Sequence, residues 1–382
     1  MSWLPKLLAT YDACKGKEPQ GSEPLMPICH STQNAQIEIV LDGAGRFRRA
    51  SVLEKVQGVT LIPCTEASGG RSGKKPVNHP LHDKLQYLAK DFTLWGGEVT
   101  IGFAKDPAEP YRDYLQSLLD WAAAVPHPTL QAVLAYIQDG HVVADLIQAG
   151  ILPVGDDGKL LKTWNADKAT APAIFKVLAP QQSPEEAFVR WRVEMDDAPN
   201  SAPWMDEALV GSWIVHYQRS QEKVGLCMAT GLQTALAVQH PAKLRHGGDK
   251  AKLISANDSS GYTYRGRFTS DEEALGVGFV ATQKAHNALR WLIERQGYRN
   301  GDQVFVAWEP TGKPIPDPML ATFAAFGGAS QDWGLGSNQA DAGQAFSLQL
   351  RKAIVGYAAQ LAPRDEVVLL GLDSATPGRM AI

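Results

Sequence analysis

The spacing of apolar positions divides the chain into helical and strand segments. Helical spacing is found in residues 3–14, 81–92, 110–119, 129–138, 184–194, 203–221, 271–296 and 344–361. Strand patterns occupy residues 36–41, 46–52, 59–64, 225–230, 303–308 and 366–373. An Asp-Gly-Ala-Gly turn at residues 42–45 joins the first two strands into a predicted hairpin. Strands and helices do not alternate regularly, which favours an α+β fold of mixed sheets and helices.

The predicted elements fall into two lobes. A segment rich in Pro and Asn at residues 197–203 separates an N-terminal α+β lobe, residues 1–197, from a second mixed lobe, residues 198–382. The last predicted strand, residues 366–373, is strongly apolar and is followed by only nine residues. A strand of this kind is typical of the interior of a domain, so we expect the natural protein to continue.

Composition limits how the protein can bind its partners. The chain has 382 residues, a mass of 41.4 kDa, a net charge of −4 and a pI of about 6.2. An acidic chain does not coat nucleic acid through its overall charge. Any nucleic-acid binding is therefore expected to be confined to a local basic patch.

The cysteines and the apolar runs indicate a soluble, cytoplasmic protein. Cys14, Cys29, Cys64 and Cys227 form no C-x-x-C pair, which argues against a zinc site or a disulfide framework and fits a reducing compartment. The N-terminus lacks the features of a signal peptide. No apolar run approaches the roughly 20 residues that a membrane span needs.

A turn-rich loop at residues 67–84 carries the strongest functional signal. Glycine lets the backbone approach a ligand closely and leaves N–H groups free to donate, and neighbouring cations suit a polyanion. An Asn or Arg side chain among them can also read base edges. The residues predicted to bind are Gly69, Gly70, Arg71, Ser72, Gly73, Lys74, Lys75 and Asn78. We favour nucleic-acid contact over an ordinary solvated loop.

The same loop is similar to a nucleotide-binding P-loop but departs from it at two positions. Ser68 stands where the motif requires its first glycine, and Lys75 stands where it requires the Ser or Thr that holds magnesium. Pro76 and Pro80 also delay the helix that should follow the loop directly. Nucleotide binding is therefore the weaker alternative.

A second basic loop lies at residues 240–267. It carries six cations against the carboxylates of Asp249 and Asp258. Sequence-independent contacts with nucleic acid are predicted for Lys243, Arg245, Lys250, Lys252, Arg265 and Arg267. His240 and His246 have no matching cluster of Cys or carboxylate residues, so contact with solvent or phosphate is favoured over metal binding.

Motifs for catalysis are missing from the sequence. It contains no G-x-S-x-G nucleophile elbow and no H-E-x-x-H metal motif. The carboxylate pairs at residues 185–186 and 196–197 are adjacent, and adjacent side chains on a helix diverge too far to share a metal. We therefore predict a protein that is not an enzyme and that has no catalytic residues, metal or cofactor.

Several segments, in their order along the chain, resemble the large subunit of the type I-C CRISPR surveillance (Cascade) complex. The first are the opening helix, the hairpin at residues 37–47 and the glycine–lysine loop that ends at Asn78. Further on, the matching segments are 227–231, 240–243, 253–257, Tyr262, Tyr264, 285–289 and 304–308. The chain departs from the family pattern at residues 78–83, where an aromatic-rich segment is usual, and at the additional Ala242.

The resemblance implies a role in DNA recognition within a ribonucleoprotein complex. The large subunit recognises the protospacer-adjacent motif (PAM), expected to be of TTC type, promotes strand separation and R-loop formation, and supports antiviral defence. The implied partners are the target duplex and displaced strand, the crRNA-bound backbone and 5′-handle-binding subunits, the small subunit and the helicase-nuclease. Family members also have a C-terminal helical bundle, which we expect to be absent from this chain.

The resemblance also suggests roles for particular residues. Arg71, Lys74 and Lys75 would contact phosphates or groove edges, and Asn78 would donate to base acceptors. The glycines would allow close approach of the backbone to the DNA. Tyr262 and Tyr264 could stack on unpaired bases, although core packing is the stronger expectation for them.

Two rival functions remain open at this point. The first is an NTPase or nuclease that uses the glycine loop, which predicts nucleotide binding or magnesium-dependent DNA cleavage by the isolated chain. The second is a purely structural subunit whose basic loops hold the RNA handle or a neighbouring subunit. This second function predicts that variants of the loops fail to assemble.

Overall fold

Contacts divide the chain into two compact units. The computed structural model describes residues 3–18, 23–71, 73–196, 200–255, 268, 271–315, 346–348, 350, 366–376 and 379–382. The central unit is Cys29–Ser220, and the terminal unit combines Met1–Ile28 with Gln221–Ile382. This division differs from the predicted lobes, because the segment 197–203 lies inside the central unit.

Helices and strands are mixed along the whole chain. The helices are α1 Trp3–Cys14, α2 Glu66–Gly69, α3 Leu85–Leu88, α4 Glu109–Ala124, α5 Pro128–Asp139, α6 Val142–Gln148, α7 Ala173–Val177, α8 Glu207–Arg219, α9 Asp271–Leu275 and α10 Phe279–Gln296. The strands are β1 His30–Asn34, β2 Ile37–Asp42, β3 Phe47–Val52, β4 Val59–Pro63, β5 Asp83–Lys84, β6 Phe188–Glu194, β7 Val224–Leu226, β8 Gln233–Ala235, β9 Tyr298–Asn300, β10 Gln303–Trp308, β11 Val368–Thr376 and β12 Arg379–Ala381. Short 3₁₀ turns lie at Thr93–Trp95, Ile101–Phe103, Lys168–Thr170, Pro184–Glu186 and Pro203–Met205.

The described elements confirm the predicted α+β fold. Helix α1, the hairpin β2–β3, helices α4, α5 and α8, and strands β4, β10 and β11 lie close to their predicted positions. The predicted helix 271–296 is divided into α9 and α10, and the predicted helix 81–92 is reduced to β5 and the short α3. The predicted strand 225–230 is reduced to β7. Most of the predicted helix 344–361 lies outside the described residues.

The helix predicted at residues 184–194 is wrong, because most of this segment is strand β6. Val189, Trp191 and Val193 are buried and alternate with two arginines, which is the period-two pattern of a strand. β-branched and aromatic side chains also fit a pleated surface better than a helix. Pairing with β2 fixes the strand in place.

A four-stranded sheet of order β3-β2-β6-β5 forms the frame of the central unit. Strand β2 pairs in antiparallel fashion with β3 and in parallel with β6, with Ile39 opposite Trp191. The Trp191 ring packs edge-on against Tyr136 of α5 at 5.8 Å, and its indole N–H donates to the Leu81 carbonyl at 2.8 Å. The segment that follows the glycine loop is thereby attached to β6, one of the two inner strands of the sheet.

The terminal unit brings the two ends of the chain together. Its sheet has the order β12-β11-β10-β9, with antiparallel pairing throughout. Helix α1 packs against α10, and the indole N–H of buried Trp308 in β10 donates to Thr10 Oγ1 in α1 at 2.9 Å. None of the helices in the described part of the chain is both long and apolar enough to cross a membrane.

Three buried histidines are held in their neutral form. Burial lowers the pKa of His82 in the central unit to about 3, with the charge of Arg190 adding to the effect. Burial likewise lowers the pKa of His240 to about 3 and of His286 to about 4. The Nδ1 atoms of the last two lie 2.9 and 3.1 Å from the hydroxyl of Thr282.

We expect these histidines to make the protein sensitive to mild acid. In the unfolded chain they titrate near pH 6.5 and in the folded chain near pH 3 to 4, so between about pH 6.5 and these lower values the unfolded state binds more protons than the folded state. Stability is therefore fully present above this window and falls as the pH decreases through it, by up to about 1.4 kcal/mol per pH unit for each histidine. Urea unfolding at a series of pH values measures the slope of the unfolding free energy against pH. His82→Gln should reduce it, and an unchanged slope in this variant would contradict the assignment.

Candidate nucleic-acid interface

Strand β4 and the short helix α2 lead into the glycine–lysine loop. The Thr65 and Ser68 side chains form reciprocal caps at the start of α2, with hydrogen bonds of 3.0 and 2.9 Å to each other's backbone N–H. After α2, the space beside Gly70 and Gly73 is open, because a Cβ atom at either position would meet no atom within 4 Å. The loop backbone is therefore accessible on this side.

Arg71 is turned into the protein and does not face solvent. Its guanidinium donates to both carboxylate oxygens of Asp83 at 2.7 and 2.6 Å, and it lies 5.2 Å from the centre of the Tyr87 ring. Asp83 is fully buried and also accepts the backbone N–H groups of His79 and Lys84, at 2.6 and 2.7 Å. The Asp83 carboxylate thus connects Arg71, near the start of the loop, with His79 and Lys84 at its end.

Asn78, predicted as a donor to bases, is also buried. Its amide donates to the His79 carbonyl at 3.3 Å and to Ser117 Oγ at 3.4 Å, and only 6% of the residue is exposed. In this arrangement Arg71 and Asn78 stabilise the loop from the inside and do not present donors to a duplex.

A 3₁₀ turn, Ile101–Phe103, packs against the backbone of the loop at Lys74. The Gly102 N–H donates to the Lys74 carbonyl at 2.7 Å, and a Cβ atom at Gly102 would lie only 2.0 Å from that oxygen. This close approach of two backbones requires glycine. Phe103 packs edge-on against Tyr87 at 6.2 Å, and the Tyr87 hydroxyl donates to the Pro76 carbonyl at 3.0 Å.

Two lysines of the loop remain at the surface. Lys74 is exposed, and within the described residues its ammonium has no ion-pair partner. The Lys75 side chain is 55% exposed and pairs with Glu109 at 2.5 Å, and this hydrogen bond raises the Lys75 pKa. The carboxylates of Asp106 and Asp113 lie close enough to add to that effect.

Part of the positive charge of the second basic loop is likewise neutralised by an ion pair inside the protein. Arg245 is buried and forms two hydrogen bonds with the Asp249 carboxylate at 2.8 and 3.0 Å, and it donates to the Asp302 carbonyl at 2.6 Å. Lys250 is exposed, Lys252 is half-buried, and the Lys243 carbonyl accepts from Arg290 Nε at 3.0 Å.

Other predictions for these loops have different outcomes. The expectation that His240 contacts solvent or phosphate is wrong, because its ring is buried against Thr282, whereas His246 is exposed. The remaining predicted positions, Ser72, Tyr262, Tyr264, Arg265 and Arg267, lie outside the described residues.

Sequence reasoning missed several cations on an edge strand. Arg46 directly precedes β3, and Arg48 and Arg49 lie in its first half. All three are exposed, and the Arg-Phe-Arg-Arg run that contains them was visible in the sequence. They are partly neutralised, since Arg46 and Arg48 pair with Asp42 and Arg49 pairs with Glu194. Their net contribution of positive charge is therefore small.

The geometry around the loop does not favour the enzyme alternatives. Ser68 Oγ lies 3.1 Å from His79 Nδ1, but Asp83 accepts the backbone N–H of His79 and does not orient its ring, so this is not a catalytic triad. The glycines follow a short helix and no long helix follows them directly, unlike a P-loop. Within the part of the chain that the structure describes, no three His, Cys, Asp or Glu side chains are grouped to hold a metal ion.

Fold and surface together define a two-unit α+β protein with one rigidly supported loop that presents two lysines and open glycine backbone. The chain belongs to the CRISPR-associated protein family Cas_Csd1, whose family model matches residues 7–382. This membership confirms the family suggested by the sequence and makes the chain a CRISPR-associated Cascade subunit. Among curated proteins, none matches this chain.

Proposed function

We propose that this chain is the non-catalytic large subunit of a type I-C Cascade complex and that its glycine–lysine loop, residues 69–78, contacts the PAM of target DNA. The observation that carries the proposal is the exposed pair Lys74 and Lys75 on a loop whose backbone is open at Gly70 and Gly73. In a CRISPR-associated subunit, a short cationic loop suits this task, because guide pairing supplies most of the sequence specificity.

The buried contacts distinguish the residues of the loop that bind DNA from those that stabilise the loop. Lys74 and Lys75 are the donors to phosphates or to base edges in a groove, where lysine can pair with guanine acceptors. Gly69, Gly70 and Gly73 allow the backbone to approach the duplex. Arg71 and Asn78 contribute by fixing the shape of the loop through Asp83 and Ser117.

The wider assembly follows from the same proposal. Lys243, Lys250, Lys252, Arg265 and Arg267 make contacts with duplex or displaced strand that do not depend on sequence. The other proposed partners are the crRNA-bound backbone subunits, the 5′-handle-binding subunit, the small subunit and the helicase-nuclease, in the cytoplasm.

Binding of the reconstituted crRNA complex to duplexes with an intact or a scrambled PAM tests the proposal. At fixed salt, Lys74→Ala with Lys75→Ala is expected to reduce affinity for the intact PAM by about 1–3 kcal/mol, and so to remove most of the preference. A second measurement varies the salt concentration. The slope of log affinity against log salt concentration should become shallower by about 0.9 for each phosphate that the variant no longer neutralises. Glu109→Gln removes the carboxylate that neutralises Lys75 and is expected to tighten binding.

The matched control replaces Lys55 and Lys90 by alanine, because both are exposed lysines of the central unit outside the loop. This control should bind as the wild type does. Retention of PAM preference in the Lys74/Lys75 variant would refute the proposal. Failure of that variant to assemble, with the control assembling normally, would instead favour the purely structural role.

A further inference from the structure

Lys243, in the second basic loop, has a backbone conformation that lysine rarely adopts. Its φ angle is 61°, in the left-handed region that glycine favours. Among the residues that the structure describes, the only other non-glycine residues with a positive φ are Cys29 and Gln181. A Cβ atom makes this conformation strained, so it persists only where surrounding contacts enforce it.

Arg290 of α10 supplies contacts that hold this backbone in place. Its Nε donates to the Lys243 carbonyl at 3.0 Å, and its Nη2 donates to the Ala242 carbonyl at 2.9 Å. The guanidinium is a rigid planar fork, so two carbonyls bound to it keep a fixed relative orientation. From the other side the Lys243 N–H donates to the Asp249 carbonyl at 2.8 Å. Both peptide groups that flank the Lys243 Cα atom are therefore held.

The helix that carries Arg290 is itself firmly packed. α10 has 18 residues, and the neighbours of Arg290 in the sequence, Leu289 and Trp291, are both buried. The Trp291 indole N–H also donates to the Glu23 carbonyl at 2.9 Å. Arg290 thus acts on the loop from a fixed position, and the conformation of Lys243 is imposed by α10.

The strained lysine lies at the base of a closed loop that carries further cations. The bond from the Lys243 N–H closes the segment 243–249, and Arg245 pairs with the Asp249 carboxylate at 2.8 Å. Because Arg245 engages this carboxylate, its charge is balanced inside the loop. Lys250 follows Asp249 directly and is exposed. Lys243 and Lys250 therefore start from neighbouring points of the backbone.

We propose that Arg290 is a positioning residue for nucleic-acid binding, which holds Lys243 in its left-handed conformation so that Lys243 and Lys250 contact one stretch of phosphate backbone. The direction of the Cα–Cβ bond depends on φ and ψ, so a relaxed Lys243 would project its ammonium elsewhere. A fixed backbone also reduces the entropy that the lysine loses on binding. The inference rests on the proposed contact of the second basic loop, and it adds a residue that does not touch nucleic acid itself.

The test is a double-mutant cycle in the reconstituted crRNA complex. The probe is a duplex without a PAM and without complementarity to the guide, so it reports only contacts that do not depend on sequence. The slope of log affinity against log salt concentration counts the phosphates that are neutralised. The variants are Lys243→Ala, Arg290→Ala, both together, and Arg290→Lys, which keeps the charge but lacks the planar fork. Arg295→Ala is the control, because it removes an exposed cation from the same helix.

We expect Lys243→Ala to make the slope shallower by about 0.9, the value for one phosphate contact. Arg290→Ala and Arg290→Lys should have the same effect, the double variant should show no further change, and Arg295→Ala should keep the wild-type slope.

The inference is overturned if both Arg290 variants keep the wild-type slope, if the losses add in the double variant, or if neither Arg290 variant assembles. A shallower slope in Lys243→Ala with a normal slope in the Arg290 variants refutes only the role of Arg290. A normal slope in Lys243→Ala refutes the phosphate contact of Lys243 itself, and the inference with it.

Discussion

Replacement of Asp83 by alanine is expected to lower the free energy of unfolding by about 3–5 kcal/mol, because it leaves the Arg71 guanidinium, whose side chain is only 14% exposed, without its counter-charge. The same carboxylate accepts two backbone N–H groups, from His79 and Lys84, and these would also lose their acceptor. Urea unfolding followed by tryptophan fluorescence near neutral pH measures the loss. Asp83→Asn keeps the shape but removes the charge, so it should also destabilise the protein.

The matched control for this change is Asp106→Ala. Asp106 pairs with Arg112 at 2.8 Å, but both side chains are about half exposed. An exposed pair contributes little, so this variant is expected to stay within about 1 kcal/mol of the wild type. Equal stabilities of the Asp83 and Asp106 variants would show that the buried pair does not hold the loop as we infer.

Replacement of Glu38 by alanine is expected to cost a similar amount, about 3–5 kcal/mol, at a second buried cluster. Glu38 in β2 accepts from Arg190 Nε at 2.8 Å and from Arg192 Nε at 3.0 Å, both in β6. The Arg190 guanidinium also lies 4.0 Å from the centre of the Trp204 ring. Without Glu38, two neighbouring cations remain on one face of the sheet, and Arg190 is almost fully buried.

Glu194→Ala provides the control, because Glu194 pairs with Arg49 on the same sheet but the side chains are 42% and 59% exposed. It should change the unfolding free energy by less than about 1 kcal/mol. The double replacement of Glu38 and Arg190 by apolar residues should recover part of the loss, since it removes an unpaired charge together with its partner. No recovery would indicate that packing, and not charge, dominates this cluster.

Local patterns determined which segments are helix or strand where the period was unambiguous. Helix α4 begins near Pro110 with a strong 3.6-residue period, and β2 and β3 alternate around a Gly-rich turn, so both were predictable. Strand β6 was not, because a seven-residue segment containing two arginines carries a weak signal by itself. Its pairing with β2, about 150 residues earlier in the chain, decides its conformation.

The sequence by itself determined that this is an α+β member of a CRISPR-associated family with a cationic glycine loop. Only the tertiary structure decided which of the loop's polar groups face solvent. Arg71 and Arg245 were predicted to contact nucleic acid, as Lys74 was, and Asn78 was predicted to donate to bases. In the structure they instead bond to Asp83, Asp249 and Ser117 inside the protein. For the two arginines the physical reason is that a buried carboxylate requires a partner cation, and for Asn78 it is that a buried amide requires a hydrogen-bond partner. Which of these groups is buried depends on packing that no local pattern contains.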